Sequence, residues 1–557
     1  MTATVPTASA TSATPSAPGR STVARDSLTV SAWSAVSRAT GLVRMVVAGA
    51  VLGPTFLANI YSSTNLLPTL LYQMMAGPLI AAMLVPPLVR HFDLGDTKSA
   101  SRLANASFSL IMTGFLVAVL LAFVASPVIV RLLVIGIPTE ARGDAQWAAW
   151  FLLLMVAPQV MMYGITGVAT AVQQSRGRFA FPAAAQVIEN FCVIGVLVVA
   201  ARLYPSAVTV TEADTRFLLL IGLGTTAATA VHATAQWLGA RAAGLTLRAQ
   251  FHWRDPEVRE IASLALPSIG TAAIGTGRFF ALVVVAGLVP GGVIAMQLGV
   301  QFSTLPIALG ARPISQALLP RLSRLRNAGD PRAFLEYRAA IGMALWIGVP
   351  AAIGLVVLSG PLANAVALGE MNNDRGRDLI RVAVAAFGLT VAGLSVVEVA
   401  RQAAYSSRDA LGPFQIAMFR TVLAIPTFAI AAVMADGANM LLVLGIGSAI
   451  ADVISATLLD RRIKGGASDG GNLMRWLARD FIIASIAVGI AWVTQAVIAS
   501  VAPDGRIGMT LALLVASGLG LVIYVVAQLV VGSPEFDTLG KMPKLPFGRR
   551  RSEAPTT

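Results

Sequence analysis

The sequence predicts an all-α polytopic membrane protein of about fourteen transmembrane helices, arranged as two six-helix lobes plus two C-terminal helices. Composition, spacing and a recurring proline pattern all point that way. The 557 residues are 56% hydrophobic and only 12% charged, whereas soluble domains carry about 25% charged residues. Apolar stretches of about 20 residues, enough to cross a bilayer, follow one another almost without pause. One proline signature returns six stretches later. The net charge of +14 fits Lys and Arg gathered in cytoplasmic loops better than nucleic-acid binding. A single cysteine, Cys192, excludes an intrachain disulfide framework. No metal-ligand spacing, phosphate-cradling glycine loop or nucleophile elbow is visible, so no enzyme activity and no cofactor are expected.

Residues 1–26 are rich in Thr, Ala, Ser and Pro, bury no core, and read as a disordered cytoplasmic tail. They lack the basic and apolar regions of a cleavable signal. The N-lobe, 27–241, holds stretches 27–53, 57–89, 104–134, 146–173, 181–203 and 216–240. Its second and third exceed a simple crossing and imply tilt, a kink or an extension. The polar run Asn59, Ser62, Ser63, Thr64 and Asn65 suits a wet vestibule or interhelical hydrogen bonds. The C-lobe, 242–460, holds 261–289, 292–320, 335–358, 378–407, 414–434 and 439–460. Stretches 479–502 and 507–531 fill 461–531, and 532–557 is a basic cytoplasmic tail with Lys541, Lys544 and Arg549 to Arg551.

Alternate connections differ in charge. One set carries Arg90, Lys98, Arg102, Arg176, Arg178, Arg248, Arg254, Arg321, Arg324, Arg408, Arg461 and Arg462. The other has few cations and is accompanied by Glu140, Asp144, Glu212, Asp214, Glu370 and Asp436. The first set is therefore expected in the cytoplasm, together with both termini.

The second helix reads Leu67-Pro68, Ala76-Gly77-Pro78, Pro86 and Arg90; the eighth reads Leu305-Pro306, Ala311-Arg312-Pro313, Pro320 and Arg321. The fifth is entered through Arg178 and Pro182, the eleventh through Arg408 and Pro413. Six is even, so the two copies share one orientation. Parallel lobes of this kind belong to transporters, with the substrate site between them.

Charge inside a span costs roughly 2.5–3.5 kcal/mol per residue on insertion scales and marks a site or a structural ion pair. Arg38 and Arg44 lie in the first helix, six residues apart, about 9 Å of rise and roughly 120° of rotation. Their planar forks suit a diphosphate; pairing with Glu189 is the bland alternative. Arg278 in the seventh helix is a third candidate cation or a partner for Glu398. Glu398 and Arg401, three apart, read as a pair on one helical face. Glu189, Glu398 and Arg401 are also the candidates for ion coupling. Arg312 and Asp452 lie toward the inner helix ends, where snorkelling is easy. His232 reads as a packed helix residue.

The segments SRATGLVR, LLPTLLYQMMAGPLIAAMLVPPLVR, RGRFAFPA and LPIALGARPISQALLPRLSR together resemble the MurJ/MviN family of lipid II flippases, within the multidrug/oligosaccharidyl-lipid/polysaccharide exporter superfamily. The resemblance runs from about Ser27 to the twelfth helix. It implies a central V-shaped cationic cavity and a lipid-tail groove formed by the last two helices. It also implies translocation of undecaprenyl-diphosphate-linked peptidoglycan precursor across a bacterial inner membrane by alternating access. Arg38 and Arg44 match the family's two first-helix arginines. Met45, Asn59, Tyr72 and Gln301 stand where family members often carry charge.

The expected substrate contacts are thus Arg38, Arg44, Arg278, Asn59, Asn65 and Gln301. The expected partners are a polyprenyl-diphosphate-linked saccharide, membrane lipids and cell-wall synthesis proteins, without nucleic acid. Two alternatives remain open: a flippase for another polyprenyl-linked envelope glycan, and a transport-inactive scaffold of wall synthesis.

Overall fold

The computed structural model describes residues 20–75, 84–205, 209–250, 256–407, 409, 411–464, 472–501 and 505–533. The N-lobe is α1 (Arg20–Leu52), α2 (Phe56–Met75, then Val85–Asp93), α3 (Thr97–Leu133), α4 (Arg142–Val156 and Pro158–Ser175), α5 (Ala180–Leu203) and α6 (Thr215–Ala242). The C-lobe is α7 (Pro256–Ala286), α8 (Gly292–Leu309 and Ala311–Asn327), α9 (Arg332–Val357, followed by the short helix Ser359–Val366), α10 (Asp374–Gly388 and Thr390–Ser406), α11 (Leu411–Met434) and α12 (Ala438–Lys464). An added hairpin, α13 (Asn472–Val501) and α14 (Arg506–Val530), follows.

Among the described residues, twelve helices are long and apolar enough to cross a membrane. The polar run of α2 dilutes its hydropathy, and α7 carries an apolar stretch over Ala272–Ala286; these two complete the set. The first helix begins at Arg20, ahead of the start expected near Ser27. Ala76-Gly77-Pro78, Arg408 and most of both tails lie outside the described residues.

The internal repeat is visible in the packing. α1 packs on α5 as α7 packs on α11; α4 packs on α6 as α10 packs on α12; α5 and α6 pair as α11 and α12 do. The lobes meet where α2 crosses α7 and α1 crosses α8. Pro68 and Pro306 sit inside the corresponding helices α2 and α8, where each removes a backbone donor from the helical ladder.

The loops divide into a basic face, where α1 begins, and an opposite face. On the opposite face the lobes are sealed together. The Gly291 N–H donates to Thr55 O at 3.0 Å, and a Cβ on Gly291, whose φ is +78°, would lie 2.4 Å from Pro54 Cα. Only glycine meets both demands. Asn59 completes the seal: its amide donates to Gly287 O at 3.2 Å and Val289 O at 2.8 Å, and its Oδ1 accepts from the Val293 N–H at 3.0 Å. One large apolar cluster, including Leu52, Leu57, Ile60, Leu282, Val293 and Leu298, runs through this junction.

The hairpin docks on α9 through an apolar cluster that includes Ala484, Ala487, Ala344 and Ala352 and through Tyr524, which donates to Trp346 O at 2.8 Å. Its own two helices are tied together by the Gln528 amide, which donates to Asp480 Oδ1 at 2.8 Å. Its outer residues, among them Ile482, Ile486, Leu514 and Leu521, are exposed, as lipid-facing side chains are in a helix that spans a membrane.

Candidate functional site

Away from the sealed face, α1, α5 and α8 part to leave a cleft of about 340 Å³. It is lined by Ser37, Arg38, Arg44, Met45, Gln186 and Gln301 among others. α1 is held in register by α5: the Asn190 amide donates to Ser37 O at 3.2 Å and to Thr40 Oγ1 at 2.9 Å. That tie leaves both arginines of α1 facing the cleft.

Behind Arg44 lies a buried polar network built on Glu189, which is only 2% exposed. Its carboxylate accepts from Tyr163 OH at 3.1 Å, from the Gln186 amide at 3.0 Å and from His232 Nδ1 at 2.6 Å. The histidine tautomer follows from its neighbours. Gln236 Oε1 accepts from Gln173 at 2.8 Å, while its amide nitrogen donates to Pro182 O at 3.0 Å and to His232 Nε2 at 3.2 Å. A ring nitrogen that accepts carries no hydrogen, so the hydrogen is on Nδ1 and points at Glu189. The Arg44 guanidinium stands 3.9 Å from Glu189, and 32% of its side chain stays exposed. Three donors already satisfy the acid, so Arg44 is tethered electrostatically and its donors remain available to the cleft.

The C-lobe holds a second buried cluster. Asp452, 1% exposed, forms an ion pair with Arg420, and Arg278 lies within electrostatic reach of both. Neither carboxylate oxygen of Asp452 nor Nε of Arg420 has an aligned hydrogen bond. Charge holds this cluster, whereas directed hydrogen bonds hold the other.

The candidate residues divide accordingly. Arg38, Arg44 and Gln301 come together in the cleft. Arg278 joins the Asp452 cluster and does not meet Glu398, whose carboxylate takes Arg401 at 2.6 Å. Asn59 lies in the inter-lobe seal with every polar side-chain atom engaged, so it offers nothing to a substrate in the cleft. Asn65 donates back to Tyr61 O at 3.0 Å within its own helix. Asp452 does not snorkel: it sits midway along α12 and is neutralised where it stands. His232 is not merely packed, because it orients the carboxylate behind Arg44.

Arg420 escaped sequence reading, although a signal was there. It lies seven residues after Pro413, and Glu189 lies seven after Pro182, so the two occupy the same register in repeated helices. Among the described residues no group of three or more His, Cys, Asp or Glu side chains is placed to hold a metal ion.

The family model described as "Lipid II flippase MurJ" matches residues 48–515. The match begins after Arg38 and Arg44, so their assignment to the site rests on the cleft itself. A probable lipid II flippase MurJ of Haemophilus influenzae is 26% identical over 443 residues, covering 76% of this chain and 82% of that one. A probable lipid II flippase MurJ of Rhizobium tropici is 22% identical over 395 residues, 70% of this chain and 72% of that one. Among solved structures, a lipid II flippase MurJ in an inward closed conformation superposes with a TM-score of 0.68 at 16% identity, covering 90% of this chain and 99% of that one. An inward-facing multidrug-resistance MATE family transporter of the MOP superfamily superposes with a TM-score of 0.54 at 16% identity, covering 78% and 94%. At such identities the structural likeness carries the fold alone.

Proposed function

This chain belongs to the lipid II flippase MurJ family, and from that premise we propose how it works as a flippase of the bacterial inner membrane. The cargo is lipid II, an undecaprenyl-diphosphate-linked peptidoglycan precursor, carried from the inner to the outer leaflet by alternating access. The basic face and both termini are cytoplasmic. The supporting observation is the cleft itself, open to Arg38 and Arg44 and lined by Gln186 and Gln301, while the opposite face is sealed.

A sugar–peptide headgroup cannot enter hydrocarbon, because its polar groups would go unsatisfied there. A hydrated cleft removes that barrier while the prenyl tail stays in lipid. Arg38 and Arg44 take the diphosphate through charge-assisted, bidentate hydrogen bonds. Outward movement of the anion across an inside-negative membrane is favoured by roughly 2.3 kcal/mol per charge per 100 mV. No nucleotide is needed on this account.

A second reading keeps the transport and changes the headgroup to another polyprenyl-linked envelope glycan. Met45 and Gln301 favour it, since both line the cleft and neither brings charge. The test is to deplete the protein in its host and assay which lipid-linked precursor is retained on the inner leaflet. Retained lipid II, with no rescue by the Arg38→Ala/Arg44→Ala variant, is the expected result. Retention of a different glycan selects the second reading. Full rescue by the double variant would dismiss the arginine cleft as the cargo site and leave a scaffold for cell-wall synthesis proteins.

A further inference from the structure

On the basic face, the ends of α8, α9, α10 and α12 surround a pocket of about 440 Å³. Arg326, Phe334, Tyr337, Ser407, Arg462 and Lys464 are among its walls. It lies within the C-lobe, apart from the cleft between α1, α5 and α8, and its size suits a small ligand. Most of its charge is already matched. Arg462 takes Asp409 at 2.7 Å, Lys464 takes Asp460 at 2.6 Å, and Asp330 takes Arg332 at 2.6 Å. Arg326 is the exception. It is half-buried, it donates to Ala403 O at 3.0 Å, and among the described residues no carboxylate pairs with it. Most donors of its planar fork are left for an anion.

The N-lobe holds the same corner filled. Gln173 and Arg176 precede Pro182 by the spacing at which Ala404 and Ser407 precede Pro413, and Phe92 follows Pro86 as Arg326 follows Pro320. The two turns share their hydrogen bonding: the Arg178 N–H donates to Gln173 O at 2.9 Å, and the Asp409 N–H to Ala404 O at 3.0 Å. In the N-lobe, Gln173 is buried against Gln236 and the Arg176 guanidinium lies 3.8 Å over the Phe92 ring. In the C-lobe the glutamine and arginine positions hold Ala404 and Ser407, both small. The guanidinium has moved to α8, where among the described residues no ring stacks on it. One lobe closes the space with its own side chains; the other leaves a cation facing a cavity.

We propose that this C-lobe pocket binds the phosphate group of a small ester, anchored by Arg326, at a site separate from the cargo cleft. A guanidinium with an open fork meets a phosphate through two parallel hydrogen bonds. Phe334 and Ile463 supply an apolar wall for the organic part of the ester. A soluble phosphate ester and the phosphodiester of a lipid headgroup offer the same group. α8, α9 and α12 all pack on α10, so helices stand between much of the pocket and the surrounding lipid, which favours the soluble source. Bound there, the ligand ties the end of α8, whose Gln301 lines the cleft, to α10. That the mouth faces the cytosol rests on the topology proposed above; the chemistry at Arg326 does not.

The test titrates inorganic phosphate and glycerol 3-phosphate, by calorimetry, onto the full chain in phosphatidylcholine nanodiscs. An Arg38→Ala/Arg44→Ala background keeps the cleft arginines out of the reading. At least one soluble probe should bind. Arg326→Ala should weaken that binding about tenfold, the loss of one charge-assisted contact, and Arg326→Lys should restore part of it. Ser407→Phe, at an exposed position, fills the pocket without removing charge and should also block binding. Phosphatidylglycerol discs are the lipid arm: thermal stabilisation by that lipid which Arg326→Ala removes, with neither soluble probe binding, keeps the phosphate site and assigns it to a headgroup. The proposal is overturned if the effect of none of the three probes depends on Arg326, or if Ser407→Phe responds to them as its parent does. Undecaprenyl diphosphate titrated onto the native chain reads the cleft separately, so either site can fail without the other.

Discussion

The two lobes repeat one architecture but wire their buried charge in opposite senses. In the N-lobe the acid is on the fifth helix, Glu189, and its basic partner on the sixth, His232. In the C-lobe the base is on the eleventh, Arg420, and the acid on the twelfth, Asp452. Each cluster also has an arginine from the lobe's first helix: Arg44 in one, Arg278 in the other. In the N-lobe the acid is satisfied by a hydroxyl, an amide and an imidazole, all of which can turn. In the C-lobe it faces guanidinium groups, which only donate and cannot lose their charge. An acid satisfied by adaptable partners frees its arginine for a ligand, whereas an acid shared between two arginines spends both. That difference explains why one lobe supplies cations to the cleft through α1 while the other withholds Arg278.

Removing each acid breaks that contrast most directly. Asp452→Asn leaves Arg420 and Arg278 without a counter-ion in the membrane interior and should cost about 3–5 kcal/mol, read as a large fall in thermal stability in detergent. The double variant Arg420→Met/Asp452→Leu should recover most of that loss, because an apolar pair of similar volume replaces the charge. Glu189→Gln should cost less, about 1–3 kcal/mol, since Tyr163 and His232 can reorient to meet an amide; equal losses in the two lobes would show the distinction to be false. His232→Ala removes one donor of three and should fall at the lower end of that range, with Arg44 drawn closer to Glu189 and substrate affinity reduced. Glu398→Gln is the control. It breaks an i,i+3 pair whose arginine is 43% exposed, and a change of only about 0.3–0.5 kcal/mol is expected.

Much of this was legible in the chain. Long apolar stretches with polar, charged connections leave a bilayer-spanning helix as the only way to satisfy the backbone, so the spans fell close to their expected places. Proline and arginine at fixed offsets disclosed the repeat, and the cost of charge at depth singled out Arg38 and Arg44. Of the two roles open to the polar run of Asn59, the interhelical hydrogen bonds hold and the expected substrate contact does not, because a polar residue in a wet vestibule and one tying two lobes together look alike in sequence. Arg420 was overlooked because nothing local distinguishes it from a snorkelling arginine near a helix end. Asp452 lies midway along its helix and not toward an end, and it makes the structural ion pair kept open for every charge inside a span.

The amino-acid sequence by itself determined the helices, their order, their approximate twofold repetition and the presence of cations inside the first span, since all of these follow from local hydrophobicity and hydrogen bonding along one chain. Only the tertiary structure decided which charges meet. Glu189 and His232 are 43 residues apart, and Asn59 reaches Val289 across 230 residues. A charge is spent or available according to what stands within a few ångströms of it, and that distance is set by how the lobes pack.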